Sequence, residues 1–301
     1  MPADPTLARP GLATSLRDTL EMIKFSHSVF ALPFALFALV LASGGWPEPR
    51  ILFWVVVAMV AARSAAMSVN RLADRAIDAE NPRTAGRPLV TGRVSVGFAV
   101  VFTVAAIAVF LIAAWQINTT ALALAPLVLV VLFGYSFLTR FTSLAHFGVG
   151  LALGLSPLGA WVAGAGGLVG DLRIPLVLGA GVMTWVAGFD VIYACQDVEF
   201  DRSAGLFSIP ARFGRRRALG IARALHASAL LALAGVGLLA GLHPVYWAGW
   251  GIICGLVVWQ HRLVRPDDLS RVGVAFFNIN GTISVVYLLA VLTAVLLPRL
   301  L

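Results

Sequence analysis

Apolar residues in this chain come in runs long enough to cross a bilayer, about nine times over. The runs fall at 25–43, 51–69, 96–115, 119–138, 143–163, 174–192, 219–241, 244–262 and 275–298. A helix rising about 1.5 Å per residue needs roughly 20 such residues to traverse a hydrocarbon core of about 30 Å. In hydrocarbon every backbone N–H and C=O must be satisfied internally, so long apolar runs of this kind predict helices. Only 12% of the 301 residues are charged, about half the share of an ordinary soluble domain. The expected fold is therefore all-α, a polytopic membrane protein embedded in a lipid bilayer. Two cysteines, Cys195 and Cys254, make neither a disulfide framework nor a thiolate metal site.

The charged residues are placed as unevenly as the apolar ones. Arg71, Arg75, Arg83, Arg87 and Arg93 lie between the second and third runs. Arg202, Arg212, Arg215, Arg216 and Arg217 lie between the sixth and seventh, and Arg265 and Arg271 between the last two. The alternate loops hold almost no basic residue. The positive-inside rule puts the basic loops and the N-terminus in the cytoplasm and the C-terminus outside. The net charge of +8 thus reads as a topology signal, with no nucleic-acid partner expected. Trp46, Trp115, Trp161 and Trp247 fall at the outer ends, where an interfacial aromatic belt belongs. Residues 1–22 are polar and lack the apolar core of a signal peptide, so they read as a cytoplasmic tail, with 23–301 as one transmembrane domain.

Two of the basic loops also carry acids in a helical pattern. The first reads Asn70-Arg-Leu-Ala-Asp74-Arg-Ala-Ile-Asp78. If the second run continues as a helix, residues 70, 74 and 78 share one face. The second loop reads Asp190-Val-Ile-Tyr193-Ala-Cys-Gln-Asp197-Val-Glu-Phe-Asp201, with Tyr193, Asp197 and Asp201 again on one face. Asp74 and Asp197 are separated by 123 residues, and so are Asp78 and Asp201. That offset predicts two related halves, a weak internal repeat. Acids are costly beside a bilayer and default to a functional role. Carboxylate and amide oxygens are hard ligands suited to Mg²⁺, which usually lets substrate phosphate complete its octahedron. Two facing acidic stripes with clustered arginines then describe a clamp for a metal-bound diphosphate.

These motifs resemble the UbiA superfamily of intramembrane aromatic prenyltransferases, over nearly the whole chain. Matching stretches are Lys24-Phe-Ser-His27, Asn70/Asp74/Asp78, Asn81-Pro-Arg-Thr with Arg87-Pro, Asp197/Asp201 and Ser208-Ile-Pro-Ala-Arg212-Phe-Gly. The resemblance implies nine transmembrane helices, read here as two pseudo-related four-helix halves plus a last helix. It implies Mg²⁺-dependent transfer of a polyprenyl group from polyprenyl diphosphate to an aromatic acid. The branch implied uses 4-hydroxybenzoate in quinone biosynthesis at the cell inner membrane. It makes Asn70, Asp74, Asp197 and Asp201 metal ligands, with Asp78 a fifth through water. Arg71, Arg87, Arg140 and Arg212 become candidate diphosphate contacts, with Lys24 beside them. Asp190 and Tyr193, one to two turns deeper, are candidates for orienting the acceptor or shielding a cation. One departure is plain. Where the family carries Tyr-x-x-x-Lys, this chain reads Tyr135-Ser-Phe-Leu-Thr139, followed by Arg140.

Other readings compete. A dihydroxynaphthoate acceptor, as in menaquinone synthesis, is not separable by motif, because acceptor choice depends on pocket shape. A secondary transporter also has repeats and intramembrane acids, but near the midplane instead of at one face. A CDP-alcohol phosphotransferase keeps glycine and alanine-arginine at fixed offsets before its acids, and neither segment fits.

Overall fold

A computed structural model describes residues 12–23 and 32–299. Every named element of the described chain is a helix, and one isolated bridge joins Arg265 and Asp268. In chain order the helices are α1 (Leu12–Met22), α2 (Leu32–Ala42), α3 (Pro49–Ala73), α4 (Arg75–Glu80), α5 (Val96–Ile117) and α6 (Thr119–Gly134). Then follow α7 (Ala145–Ala165), α8 (Arg173–Ala194), α9 (Val198–Ser203), α10 (Ile209–Leu239), α11 (Val245–Leu263) and α12 (Asn280–Leu296). A 3₁₀ segment, Tyr135–Arg140, extends α6, and a π-helical segment, Val274–Ile279, leads into α12.

Among the described residues, seven helical stretches are long and apolar enough to cross a membrane: α3, α5, α6 with its 3₁₀ end, α7, α8, α10 and the π-segment with α12. The other two expected spans are represented differently. The first appears as the 11-residue apolar helix α2, since residues 24–31, with Lys24 and His27, lie outside the described residues. The eighth is α11, a helix of 19 residues whose last turn carries Gln260, His261 and Arg262 and dilutes its apolar character. Outward faces are apolar too. Val101 and Val104 on α5 and Leu127 and Val130 on α6 are each more than 60% exposed, which suits contact with lipid and not with water.

Helix packing is set by small residues. A Cβ on Gly154 of α7 would sit 2.6 Å from the carbonyl oxygen of Gly179 on α8, so only glycine permits this approach. The glycine seam brings α7 against α8, while α8 packs on α10 across Gly181 and Gly188. Within the expected tail α1 forms a helix that docks through Met22 and the following Ile23 into a cluster with Leu89 and Val94, and Arg93 pairs with Asp18 and Glu21. The four tryptophans of the expected aromatic belt differ in burial. Trp46 and Trp115 are exposed, but Trp161 is buried with its indole N–H donated to Val169 O, and Trp247 packs on the core.

Candidate active site

Both acidic motifs break their helices at the same point. The α3 helix ends at Ala73 and α4 begins at Arg75, leaving Asp74 at the junction with φ −92° and ψ 4°. The α8 helix ends at Ala194, and Asp197 stands at the start of α9 with φ −103° and ψ 10°. Asp74 and Asp197 thus occupy the sparsely populated bridge region that many active-site residues adopt. This corrects the expectation of one continuous helical face. The break turns the last acid of each motif inward, so Asp78 is buried and Asp201 half-buried. The short helices α4 and α9 repeat the 123-residue offset at both ends.

The motifs face one cavity of about 780 Å³. Asn70, Arg71, Asp74, Asp78 and Arg87 line it from one side and Asp190, Tyr193, Asp197 and Asp201 from the other. Beyond them the walls turn apolar, with Phe110, Leu127, Val128 and Val131 from α5 and α6. Two arginines that sequence reasoning passed over as site residues, Arg63 and Arg83, and one histidine, His146, also line it.

Each carboxylate is engaged. Arg83 grips Asp197 with two bonds, Nε to Oδ1 at 2.7 Å and Nη2 to Oδ2 at 2.6 Å, and its Nη1 donates to the Tyr193 hydroxyl at 2.9 Å. The Asn81 amide adds a bond to Asp197 at 3.2 Å and accepts from the Arg83 backbone N–H. Asp78 pairs with Arg87, and Arg71 approaches it to 3.9 Å. Asn70 donates to Asp74 at 2.8 Å and accepts from Arg71 at 3.0 Å. Asp201 accepts from Ser208 Oγ at 2.6 Å, while Ser208 caps the start of α10 through the Ala211 N–H. Among the described residues no three His, Cys, Asp or Glu side chains gather around one point. The arginines stand between the acids instead.

Two of the expected diphosphate contacts lie elsewhere. Arg140 does not line the cavity. Its Nη2 donates to Asp74 Oδ1 at 2.9 Å and to Ala73 O at 2.8 Å, and its Nη1 to Ser136 O at 2.8 Å. The 3₁₀ winding of Tyr135–Arg140 rotates the chain enough to aim this side chain at the α3 terminus, and Thr139 takes the lining position. Arg212 is also off the cavity, reaching Ser143 Oγ at 3.4 Å with its guanidinium over the Phe213 ring. Lys24 lies outside the described residues.

Burial shapes the charges. It pushes the Asp201 carboxyl up to about 6, with the Ser208 hydrogen bond opposing and the Asp197 charge reinforcing the rise. Burial also raises Asp74, against the opposing pull of Arg140. Both groups resist ionising where they stand, which a nearby cation would reverse.

Residues 31–282 match the model of the UbiA prenyltransferase family. The chain belongs to that family. It is 34% identical to the 4-hydroxybenzoate octaprenyltransferase of Vibrio cholerae, over 81% of this chain and 85% of that protein. The enzyme of the same name from Aeromonas salmonicida is 35% identical, over 87% of this chain and 89% of its own length. The apo UbiA homolog from Aeropyrum pernix K1 superposes with a TM-score of 0.80 at 33% identity, covering 91% of this chain and 98% of that one. The UbiA homolog from Archaeoglobus fulgidus bound to DMAPP and Mg²⁺ shares the fold, with a TM-score of 0.69 at 20% identity over 92% of this chain and 99% of its own. The chain is accordingly a prenyltransferase of the membrane-embedded UbiA type.

Proposed function

We propose that the enzyme transfers a polyprenyl group from polyprenyl diphosphate to an aromatic acid, 4-hydroxybenzoate, for quinone biosynthesis at the cell inner membrane. One observation carries the reading: a single cavity joins an acid- and arginine-rich mouth to an apolar interior, with the cationic Arg63 set inside it. An amphiphile with an anionic head and a long hydrocarbon tail matches that gradient. Arg63 stands seven residues before Asn70 on α3, about 10 Å deeper along the helix. A guanidinium at that depth suits an acceptor carboxylate, which it can hold bidentately. The names of the relatives favour 4-hydroxybenzoate over a dihydroxynaphthoate.

The donor set at the mouth is all oxygen, from Asn70, Asp74, Asp78, Asp197 and Asp201, which fits Mg²⁺ and not a soft metal. A bound Mg²⁺ would supply charge stabilisation for the departing diphosphate. Arg71 and Arg87 line the same mouth and would hold the phosphate oxygens. Arg83, once released from Asp197, would join them. The Tyr193 ring, packed 4.4 Å from that of Phe276, offers an aromatic wall beside the allylic carbon. The allylic C–O bond breaks towards the diphosphate and the electron-rich ring attacks at carbon. We also read the chain as one domain of nine spans over 23–301, in two related halves and a last helix, with its mouth cytoplasmic. The repeated helix break at 123 residues supports the halves.

The test is product formation by purified protein in lipid discs, given a polyprenyl diphosphate, Mg²⁺ and either acceptor. Prenylated 4-hydroxybenzoate is expected, with loss in EDTA and a drop of orders of magnitude in Asp74→Asn and Asp197→Asn. Arg63→Gln is expected to raise the KM of the acceptor and not that of the donor. Full activity in EDTA, or product from the naphthoate alone, is the result that overturns the metal role or the acceptor respectively.

A further inference from the structure

His146 is a single histidine on an apolar helix, and it is buried to 3% exposure. Both of its ring nitrogens are committed. Its Nε2 receives the backbone N–H of Ile209, the first residue of α10, at 3.2 Å. A backbone N–H can only donate, so Nε2 must offer its lone pair. The proton therefore sits on Nδ1, which donates to Asp190 Oδ2 at 2.7 Å. The ring is a neutral donor held in one tautomer from both sides, and it has no free basic nitrogen. Its effect passes entirely to Asp190.

Asp190 lines the cavity, and its side chain keeps 29% exposure there. It precedes Asp197 by seven residues, as Arg63 precedes Asn70. A carboxylate and a guanidinium thus both line the cavity, Asp190 about 6 Å before the end of α8 and Arg63 about 10 Å before Asn70 on α3. A para-hydroxybenzoate has an anionic group at one end and a phenol at the other. We propose that Asp190 is the base that takes the phenolic proton of the acceptor, and that His146 is the residue that positions it. This rests on the aromatic-acceptor reading above and adds the group that activates the ring.

The step balances as follows. As the carbon ortho to the phenol bonds to the allylic carbon, the phenolic proton passes to Asp190 and the ring becomes a neutral dienone. The proton on the alkylated carbon then leaves to the released diphosphate. Asp190 returns its proton to the oxygen, and aromaticity is restored. The charged or titratable groups around Asp190 are His146 on α7, Tyr193 on its own helix, Asp197 at the start of α9, Arg83 bound to both of these, Arg63 on α3, and Asp201 close enough to feel His146. Of these, His146 is hydrogen-bonded to it.

The experiment uses the full chain in lipid discs with polyprenyl diphosphate, Mg²⁺, and 4-hydroxybenzoate or ring-fluorinated analogues whose phenols are more acidic. Asp190→Asn is expected to lower kcat by about 10²–10⁴. Its residual rate is expected to climb with pH as the phenol ionises unaided, and to recover with the fluorinated acceptors. Binding of inorganic pyrophosphate with Mg²⁺ should stay within about twofold, which shows that the variant is folded at the mouth. His146→Asn, whose amide can still donate to Asp190, should keep more activity than His146→Ala. A uniform loss in Asp190→Asn, with pH profile and fluorine dependence unchanged, overturns the base and leaves the pair as a strut between α7 and α8. Wild-type kcat in Asp190→Asn overturns it equally. Failure of the wild type to prenylate any phenolic acid overturns the acceptor reading and the base with it.

Discussion

Arg83 occupies the place where a metal ion would meet Asp197, and removing it should therefore tighten metal binding. The pair is bidentate at 2.6 and 2.7 Å, with Asp197 12% exposed and Arg83 32% exposed. A hydrogen bond to a charged group nets about 1.5–3 kcal/mol. Solvent at the exposed guanidinium argues for the low end, about 1.5 kcal/mol. A divalent ion must pay that to take Asp197 from Arg83, and about 1.4 kcal/mol is tenfold in affinity. Arg83→Gln is thus expected to bind Mn²⁺ about tenfold more tightly in the absence of diphosphate, read by the loss of free-ion signal in electron paramagnetic resonance. The same variant should show a raised KM for the prenyl diphosphate, because it loses one of the arginines that line the mouth. Arg83→Lys, which keeps the charge without the fork, should fall between. Unchanged Mn²⁺ affinity in Arg83→Gln would refute the competition.

Three further outcomes follow. Arg140→Ala should lower donor kcat/KM about ten- to hundredfold, since losing a charged partner of half-buried Asp74 costs about 1.5–3 kcal/mol; Thr139→Ala should stay within about threefold, and equal effects would contradict the geometry. Asp201 sits at about 6 in the folded chain against about 4 unfolded, so the folded state binds its proton more tightly and metal-free stability should fall as pH rises from about 4 through 6. Asp74 acts in the same direction; added Mg²⁺ at neutral pH should restore the melting temperature, and a flat profile would count against buried, unneutralised acids. Single cysteines at Arg83 and at Gly167, in a background lacking Cys195 and Cys254, should label from opposite sides of the membrane; labelling of both from the cytoplasmic side would refute the topology.

The parts of the site that a linear motif can carry were legible from the residues. Asn70, Asp74 and Asp78 recur every four residues and Asp197 and Asp201 repeat that spacing, so periodicity alone pairs them on one cavity. Nothing in Asn70-Arg-Leu-Ala-Asp74-Arg-Ala-Ile-Asp78 announces the break, because it holds neither glycine nor proline. The break is a tertiary effect, with Arg140 from the 3₁₀ end of α6 holding both Ala73 O and Asp74. Arg83 was visible within Asn81-Pro-Arg-Thr, but its partner lies 114 residues away and no local pattern names it. His146 was harder still. A lone histidine on an apolar face looks like core, and only the meeting of α7, α8 and the start of α10 gives it a function. The seven long apolar helices came from run length alone, whereas α11 falls short in hydropathy because its end turns polar at Gln260, which binds the α12 region through Ala275 O and Asn280.

The paired breaks also have an electrical meaning. The α3 and α8 helices both end at the mouth, and each presents the negative end of its dipole there, equivalent to about half an elementary charge. These add to Asp74, Asp78, Asp197 and Asp201, the first three of which already engage Arg71, Arg83, Arg87 and Arg140, so the mouth has no surplus positive charge for a bare diphosphate. Within the proposed reaction, a free donor head group would be turned away and its divalent-cation salt admitted. The entrance would then act as a filter on ionic form before any side chain recognises the substrate.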